Sequence, residues 1–426
     1  MGPVIPIFLW FLLSAPVQVL AGQTMDGESC NHPETVISSV RVFDGIATIP
    51  EATVVIRCTK ILGVFKSGDS IDIAPGAVVL DGKGRTLLPG LIDTHTHVFS
   101  RRMLERPLDF GVTTVMDMGS TNLSFAQSIK AEDLVGPAYD RADFMTAVVW
   151  ATAPGSHGTQ FGEVPTLLTP EDAKPFVAAR VEQGADYIKI IYDNFKMFDQ
   201  DIPTLSYDTL AAVVESAHAL NRLALVHSRD VEAFADVARA GADGIVHLPV
   251  DEVPDDQLIN RLREKGIFVG ANLSMLQPIG ASLAEDPKIG PMLSEREIEN
   301  LADFRKMHRE GGDQIAFDAL KSLHVNGVKI VAGSDTPNGG TIEGASMHLE
   351  LELLVAAGLT PVEALVAATS TAADVFRLGD RGRIRQGLRA DLLLVQGQPD
   401  QRIKDTRNIV AIWKAGKLHN ATGLPP

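Results

Sequence analysis

Two histidines close an apolar segment near residue 90 and have the spacing of a metal-binding pair. The segment runs from Leu88 to His97 and ends in His-Thr-His. On a β-strand alternate residues share a face, so His95 and His97 point the same way. Together they can hold one metal ion through neutral imidazole nitrogens.

Four further polar residues lie downstream, each at the end of a short apolar stretch that is typical of a strand: Lys189, His227, His247 and Asp335. Barrel enzymes keep their chemistry at the C-terminal ends of the strands. Any one of these residues has a structural alternative, such as a core histidine or, for Asp335, a helix N-cap. Six in the correct strand order favour a metal centre.

Lys189 is the unusual member of this set. A protonated ammonium cannot ligate a cation and would repel one. Either Lys189 points elsewhere and pairs with an acid, or its neutral amine reacts with carbon dioxide to form a carbamate whose oxygens bridge two metals. Burial lowers the pKa of a lysine and makes the neutral amine available.

The elements that must position these residues alternate between strand and helix over residues 88–379. Predicted strands cover 88–98, 112–118, 144–149, 187–192, 223–227, 245–248, 267–272 and 328–332, and clear helices cover 170–183, 206–220 and 231–240. Eight strands in this alternation predict an α/β fold of the (β/α)8 TIM-barrel type. An open doubly wound sheet is the competitor, but no Gly-x-Gly-x-x-Gly turn follows the first strand. Residues 278–325 are a polar, partly helical insertion that we expect to form a lid.

Both ends of the chain have a different, β-rich character. Segments 36–43, 53–58 and 77–81 near the N-terminus, and 390–395 and 409–414 near the C-terminus, are apolar or β-branched and are separated by turn residues. Neither end has enough strand for a stable sheet alone. We therefore predict a small β-sandwich domain built from residues 22–87 and 380–426 together.

The first 21 residues resemble a secretory signal peptide. An apolar run from Val4 to Leu13 precedes a small-residue cleavage pattern that ends at Ala21, although the positively charged start of such peptides is missing. A membrane anchor is the alternative, but the run is short and is interrupted by Pro6 and Pro16. The prediction is a secreted or periplasmic protein without membrane association after cleavage.

Net charge and cysteine content limit the possible binding partners and the possible redox compartment of the protein. The formal net charge is −16 without a basic cluster, which argues against nucleic acid or an anionic membrane as a partner. Cys30 and Cys58 are the only cysteines; in an oxidising compartment they could form one disulfide, and two unrelated thiols are an equal alternative. Glycosylation sequons begin at Asn122, Asn272 and Asn420, of which Asn272 is expected to be inaccessible because it follows a predicted barrel strand.

At this point the chain resembles the amidohydrolase superfamily. Pro89 to His97 is similar to the opening motif of that superfamily, and Ala332 to Thr336 to its closing motif. The closer resemblance is to the imidazolonepropionase-like branch, which includes Xaa-Pro dipeptidases and ochratoxin-hydrolysing enzymes. It is carried by residues 155–158, 184–190, 349–361 and 382–393 and covers nearly the whole mature chain.

The resemblance implies a binuclear site. His95, His97 and Asp335 would hold one metal, His227 and His247 the second, and an N6-carboxylated Lys189 would bridge both. Zinc is the default ion for such nitrogen and oxygen ligands, and manganese and iron also suit them. Asp335 would act as the catalytic base and acid.

Substrate-binding candidates follow from the same comparison. His157 lies in a glycine-rich loop after the third strand, where the resemblance implies that it polarises a substrate carbonyl; a structural loop histidine is the alternative. Tyr192 follows Lys189 by three residues, so it reaches the site only if the chain has left strand geometry. It could bind a substrate carboxylate or pack in the core. His348 is predicted to be structural, and Asp117 and Arg229 to support the ligands.

Three functional hypotheses remain open. The first is a hydrolase that cleaves the amide bond of a small molecule, such as a dipeptide or an N-acyl amino acid. The second keeps the site but changes the bond to a cyclic amide or a lactone. The third, an inactive barrel used for binding, is disfavoured because all six ligands are present. The resemblance also implies a homo-oligomer. A pocket cation would favour the peptidase, and no single arginine or lysine stands out in the sequence.

Overall fold

The computed structural model describes residues 32–66, 68–198, 200–277, 279–303 and 311–421. The predicted signal peptide and Cys30 lie outside the described residues. Cys58 is disulfide-bonded, which agrees with the pairing alternative for the two cysteines. Within the described part of the chain, no helix combines the length and the apolar character needed to cross a membrane.

The described residues form sixteen strands and thirteen α-helices. The strands are β1 Thr35–Phe43, β2 Thr48–Arg57, β3 Lys60–Phe65, β4 Val78–Asp81, β5 Arg85–Pro89, β6 Leu91–Thr96, β7 Val112–Asp117, β8 Asp143–Thr146, β9 Ile188–Ile191, β10 Ala224–His227, β11 Gly244–Val246, β12 Phe268–Gly270, β13 Ile330–Val331, β14 Leu392–Gln396, β15 Ile409–Lys414 and β16 Lys417–His419. The helices are α1 Arg102–Asp109, α2 Leu123–Asp133, α3 Ala173–Glu182, α4 Tyr207–Ala219, α5 Val231–Ala240, α6 Asp256–Lys265, α7 Leu273–Leu276, α8 Ala281–Ala284, α9 Glu295–Ala302, α10 Gly312–Val325, α11 Ala345–Ala356, α12 Pro361–Ala367 and α13 Ser370–Val375.

The two ends of the chain share one mixed sheet. Its strands lie in the order β16-β15-β14-β5-β1-β2-β3, with β4 paired to β1, and the ends meet where β5 pairs antiparallel with β14. Buried apolar residues from both ends, including Ile37, Leu87, Leu392 and Trp413, pack together in its core. The pairing of the two ends is therefore confirmed. The prediction was a sandwich, which has two sheets. In the structure, hydrogen bonds join these strands into one mixed sheet.

The strand predicted over residues 88–98 is divided between two sheets. Residues up to Pro89 belong to β5 in the mixed sheet, and β6 begins at Leu91 and pairs parallel with β7. The break falls at Gly90, where a Cβ atom would lie 2.3 Å from the Thr113 hydroxyl oxygen. An apolar run alone cannot reveal such a change of sheet, because both halves are equally buried.

Eight strands between these ends are all parallel and form two sheets, β6-β7-β8 and β9 to β13. Single parallel bridges join the edges of the sheets, one between Thr96 and Thr336 and the other between Ala151 and Ile190. The strands are shorter than the apolar runs that predicted them. All runs except that of β10, which ends with its strand at His227, continue into the loop at the strand's C-terminal end.

Polar side chains cap the starts of two predicted helices. The Ser206 side chain accepts a hydrogen bond from the Thr209 amide at the start of α4, and Asp230 does the same for Ala233 at the start of α5. Helix α5 ends at Gly241 with φ 79°, as the sequence predicts. The helix predicted from Pro170 begins as a 3-10 turn and becomes α-helical at Ala173.

The described part of the predicted insertion over residues 278–325 is partly helical, as expected. It contains α8, a 3-10 turn, α9 and α10. Glu297 of α9 pairs with Arg106 of α1 at 2.8 Å, and the Asn300 side-chain amide donates to the Thr341 carbonyl. These contacts hold α9 against the loop that follows Asp335, and the role of a lid stays a prediction.

Candidate metal centre

Strand β6 delivers the first two histidines to the C-terminal edge of the parallel strands. His95 is its penultimate residue and His97 follows its end. The His97 Nδ1 atom lies 2.7 Å from the Gly119 carbonyl oxygen, so Nδ1 carries the proton and Nε2 faces the site. His95 is buried and His97 is partly exposed. Alternation along the strand therefore places both rings together, 5.4 Å apart, as predicted.

Asp335 brings three histidines together. Its Oδ1 atom lies 3.2 Å from His95 Nε2 and 3.5 Å from His97 Nε2, and its Oδ2 atom lies 4.0 Å from His247 Nε2. His95, His97 and Asp335 present ligand atoms that all lie within 4.8 Å of one another. The set matches the first of the two metal positions that the sequence implies.

His227 and His247 complete the cluster from β10 and the end of β11. Their ring centroids are 4.5 Å apart, and the His247 ring is 4.9 Å from that of His95. His227 Nε2 lies 3.2 Å from Asp193 Oδ2. His247 Nδ1 is buried without a hydrogen-bond partner among the described residues.

Lys189 lies on β9 and is 2% exposed. Its Nζ atom has no hydrogen-bond partner in the part of the chain that the structure describes. Burial lowers the pKa of Lys189 to about 7, although Asp335 and Asp117 act in the opposite direction. Of the two sequence alternatives, pairing with an acid through a hydrogen bond is not what the structure shows.

The protonation states suit metal binding. Burial lowers the pKa of His95, His227 and His247 well below the ordinary value, and the charge of Lys189 lowers them further. Neutral imidazole is the form that ligates a metal. For His97 burial also lowers the pKa, but the hydrogen bond and charge of Asp335 outweigh it and raise the value. Four imidazoles, one carboxylate and one unpartnered amine therefore fit a site for divalent ions.

The loop conformations around the ligands are unusual. His247, Asn272 and Asp335 follow three consecutive strands, and all have left-handed backbones with φ of 81°, 52° and 54°. Such conformations are disfavoured for residues with a Cβ atom and concentrate at functional sites. They turn the side chains at the strand ends toward one another.

Two buried polar side chains support the ligands. Asn272 Oδ1 lies 3.3 Å from His95 Nδ1 and accepts from the His247 amide at 3.3 Å. Asp93 accepts from the amides of His95 and Ser334 and so joins β6 to the end of β13. Burial raises the pKa of Asp93 to about 7, and its hydrogen bonds to Ser334 oppose the shift. Because Asn272 is fully buried, its sequon is inaccessible, as expected.

His157 lies beside the cluster. Its ring centroid is 5.1 Å from that of His227, and its Nδ1 atom is 3.0 Å from the Gln160 side-chain nitrogen. Gln160 Oε1 accepts from the Gly158 amide, which orients the Gln160 amide group. Burial lowers the pKa of His157 to about 4, and Arg229 adds to this effect. A neutral His157 that accepts from Gln160 must carry its proton on Nε2.

Tyr192 is placed differently from the other candidates. Its hydroxyl lies 2.8 Å from Asp236 Oδ2 on α5, so the structure engages it with the surrounding helix layer and not with the histidines. His348 Nε2 donates to the Phe110 carbonyl oxygen from within α11, a structural position. Asp117 accepts from the Val98 amide directly after His97, which supports that ligand.

Sequence reasoning missed four supporting residues: Asp93, Asp193, Gln160, and Asn272 as a partner of His95. Asp193 and Asn272 are polar residues just beyond apolar strands, which is the one signal that could have found them. Gln160 lies in a loop and leaves no such signal.

Comparison with known proteins places this arrangement in a family. A model of the amidohydrolase family matches residues 86–420. An imidazolonepropionase from Anaeromyxobacter sp. (strain K) is 25% identical over 366 residues, which cover 81% of this chain and 84% of that protein. A crystal structure of a Xaa-Pro dipeptidase with bound methionine superposes with a TM-score of 0.72 at 23% identity, covering 91% of this chain and 99% of the other. The A. niger ochratoxinase structure gives 0.71 at 20% identity, with 91% and 95% covered.

Proposed function

The chain belongs to the amidohydrolase family, and we propose that it is a secreted hydrolase that uses two divalent metal ions to cleave an amide bond in a small molecule. The substrate class is a dipeptide or an N-acyl amino acid. The observation that carries the proposal is the convergence of His95, His97 and His247 on Asp335, with the unpartnered amine of Lys189 beside them.

The residues would divide between two ions in this proposal. His95, His97 and Asp335 would hold one, His227 and His247 would hold the other, and an N6-carboxylated Lys189 would be a ligand shared by both. Its lowered pKa supports the bridge, because the neutral amine is the form that reacts with carbon dioxide. Zinc is the proposed ion, since imidazole and carboxylate ligands suit it. When bound, the ions lower the pKa of water and polarise the scissile carbonyl.

Asp335 moves the proton in the proposed reaction. Its carboxylate accepts the proton of the attacking water and passes it to the leaving nitrogen. His157 donates a hydrogen bond from Nε2 to the substrate carbonyl oxygen, which the Gln160 contact supports. Tyr192 has no role in this mechanism, because its hydroxyl is engaged by Asp236.

The same proposal includes closure of the parallel strands into a (β/α)8 barrel. The two bridges between the sheets support it, together with hydrogen bonds from the Thr94 amide to the Ala332 carbonyl and from the Asp186 amide to the Thr146 carbonyl. A closed barrel would gather all six ligands at one rim.

A cyclic amide or lactone is the second candidate substrate. The chain is similar to an imidazolonepropionase and, in fold, to a Xaa-Pro dipeptidase. These two similarities support both a cyclic and a linear amide as the bond that is cleaved. Homo-oligomer formation, as the family resemblance implies, is part of the proposal.

The test compares the purified protein with Asp335→Asn on dipeptides, N-acyl amino acids, cyclic amides and lactones. We expect linear amides to be hydrolysed and the variant to lose about 10²- to 10⁴-fold in kcat while keeping its metal. Asp236→Asn, which alters a carboxylate on α5, is the matched control and should keep full activity. Turnover of lactones or cyclic amides alone would select the second candidate, and near-normal activity of Asp335→Asn would refute the role of Asp335.

A further inference from the structure

A buried carboxylate lies directly behind His227. Asp193 follows β9 by two residues, and its side chain is completely buried. Its Oδ2 atom is 3.2 Å from His227 Nε2 and 3.0 Å from Arg229 Nε, and its Oδ1 atom accepts from the Phe195 amide at 2.8 Å. Both oxygens of Asp193 are therefore used, one for the backbone of its own loop and one for His227 and Arg229 together.

Arg229 donates to the same oxygen of Asp193 that faces His227. The guanidinium group is 3% exposed and lies 4.4 Å from the centroid of the Phe195 ring and 4.6 Å from that of Phe198. An arginine side chain does not deprotonate in proteins, so it offers Asp193 a permanent positive charge. Oδ2 of Asp193 already accepts from Arg229 Nε–H and Oδ1 from the Phe195 amide, so both oxygens act as acceptors. His227 Nε2 must then be the donor.

This contact decides which nitrogen of His227 is free. With the proton on Nε2, the lone pair of the neutral ring is on Nδ1. His97 has the opposite arrangement, since its Nδ1 atom bonds to Gly119 and its Nε2 atom faces Asp335. We propose that Asp193 is a positioning residue that fixes the tautomer of His227 so that Nδ1 is offered to the second metal, with Arg229 as its counter-ion. The inference rests on the proposed two-metal site.

The most direct test needs no substitution at Asp193. In the isolated metal-loaded protein labelled with ¹⁵N-histidine, NMR should show a proton on Nε2 of His227 and none on Nδ1. The signal is assigned by its absence in His227→Gln. A proton on Nδ1 would overturn the proposal.

A variant tests the consequence for metal binding. Asp193→Leu removes the acceptor of the Nε2 proton at similar volume, so that the tautomer of His227 is no longer fixed. Losing such a partner typically weakens metal binding 10- to 100-fold. Competition with a chelator measures the affinity for each zinc equivalent. We expect the affinity for the second equivalent to fall and that for the first to stay unchanged. In the control Asp236→Asn, both affinities should be unchanged.

The outcomes separate this inference from the function on which it rests. Unchanged affinity for both equivalents in a folded Asp193→Leu variant would contradict the role of Asp193, even if the protein is an active two-metal hydrolase. If the unsubstituted protein binds a single equivalent, the two-metal proposal fails, and a proton on Nδ1 of His227 would overturn the positioning role in addition.

Discussion

At the scale of single residues, one hydrogen bond decides what His157 can do for a substrate. The Gln160 amide nitrogen can only donate, so it leaves the imidazole proton on Nε2. In that state His157 can stabilise negative charge on a carbonyl oxygen. The same ring with its proton on Nδ1 would present a lone pair and repel that charge.

Gln160→Glu tests this role. A carboxylate accepts from Nδ1–H, so the neutral ring loses its donor at Nε2, while a doubly protonated ring keeps it. We expect kcat/KM for an amide substrate to fall roughly tenfold or more at pH 8. The loss should shrink as the pH is lowered and the imidazole takes up its second proton.

The pH profile of Gln160→Met provides the comparison. This variant removes the amide but adds no charge. Its loss of kcat/KM should therefore be smaller than that of Gln160→Glu and should not shrink in the same way as the pH is lowered. Identical profiles for both variants would show that the tautomer of His157 has no part in the reaction. Metal content should be unchanged in both.

The ligands were predictable from the sequence, whereas their supports were not. His95 and His227 end apolar runs, Lys189 lies inside one and Asp335 closely follows one, and that local pattern is visible without a structure. The partners of these ligands are chosen by contacts across the fold: Asn272 lies 177 residues from His95. Tyr192 illustrates the same limit, because the direction of its side chain depends on the helix packed against β9 and β10.

At the scale of elements, two neighbouring strands contain glycines with opposite requirements. A Cβ atom on Gly244 in β11 would lie 2.4 Å from the Phe268 ring, which occupies that space from β12. A Cβ atom on Gly270 in β12 would meet nothing closer than 3.6 Å. The first glycine is required by packing and the second is not.

Gly244→Ala should therefore destabilise the protein, because Phe268 must move out of a well-packed position. Overpacking of this kind costs about 1–3 kcal/mol. The free energy of unfolding from urea titration measures the loss. Gly270→Ala is the matched control and should change it by less than about 0.5 kcal/mol. Equal effects of both substitutions would contradict the packing argument.

Element type was easier to predict than element boundary. Helix α5 matches its predicted range because Asp230 and Gly241 mark its ends chemically. The run from residue 88 to residue 98 contains no such mark except Gly90, and its division between two sheets depends on Thr113 and on strand β14. Strand β3 and most of β5 were not predicted; β3 pairs with β2 in the N-terminal part, and β5 pairs across the chain ends with β14.

At the scale of the whole molecule, a buried ion cluster joins the parallel strands to the mixed sheet. Asp143 begins β8 and lies 2.8 Å from Lys414 of β15 and 2.7 Å from Arg389; Arg381 also pairs with it. Asp391 accepts a further contact from Lys414 at 3.1 Å. Burial opposes ionisation, but the three cations hold the pKa of Asp143 well below its usual range.

Asp143→Asn should weaken the whole fold. The substitution leaves three buried cations with one carboxylate fewer, and breaking a buried pair costs about 3–5 kcal/mol. Chemical denaturation should show this loss in the free energy of unfolding. Asp374→Asn breaks the exposed pair with Arg383 and should cost at most about 1 kcal/mol. Similar small losses in both variants would show that the cluster does not stabilise the junction.

The pairing of the two chain ends could be predicted because neither end contains a sufficient sheet alone. The charged cluster that fastens this sheet to the parallel strands could not, since Asp143 and Lys414 are 271 positions apart and neither belongs to a recognisable motif. The sequence predicted which parts meet but not the contacts through which they meet.

The central claim is a two-metal centre bridged by Lys189, and metal content per chain tests it most directly. We expect elemental analysis of the purified mature protein to give two equivalents. Lys189→Ala should reduce this number, and Lys130→Ala, which removes a lysine paired with Asp186, should leave it unchanged. One equivalent that does not respond to Lys189→Ala would contradict the claim and would favour a mononuclear hydrolase.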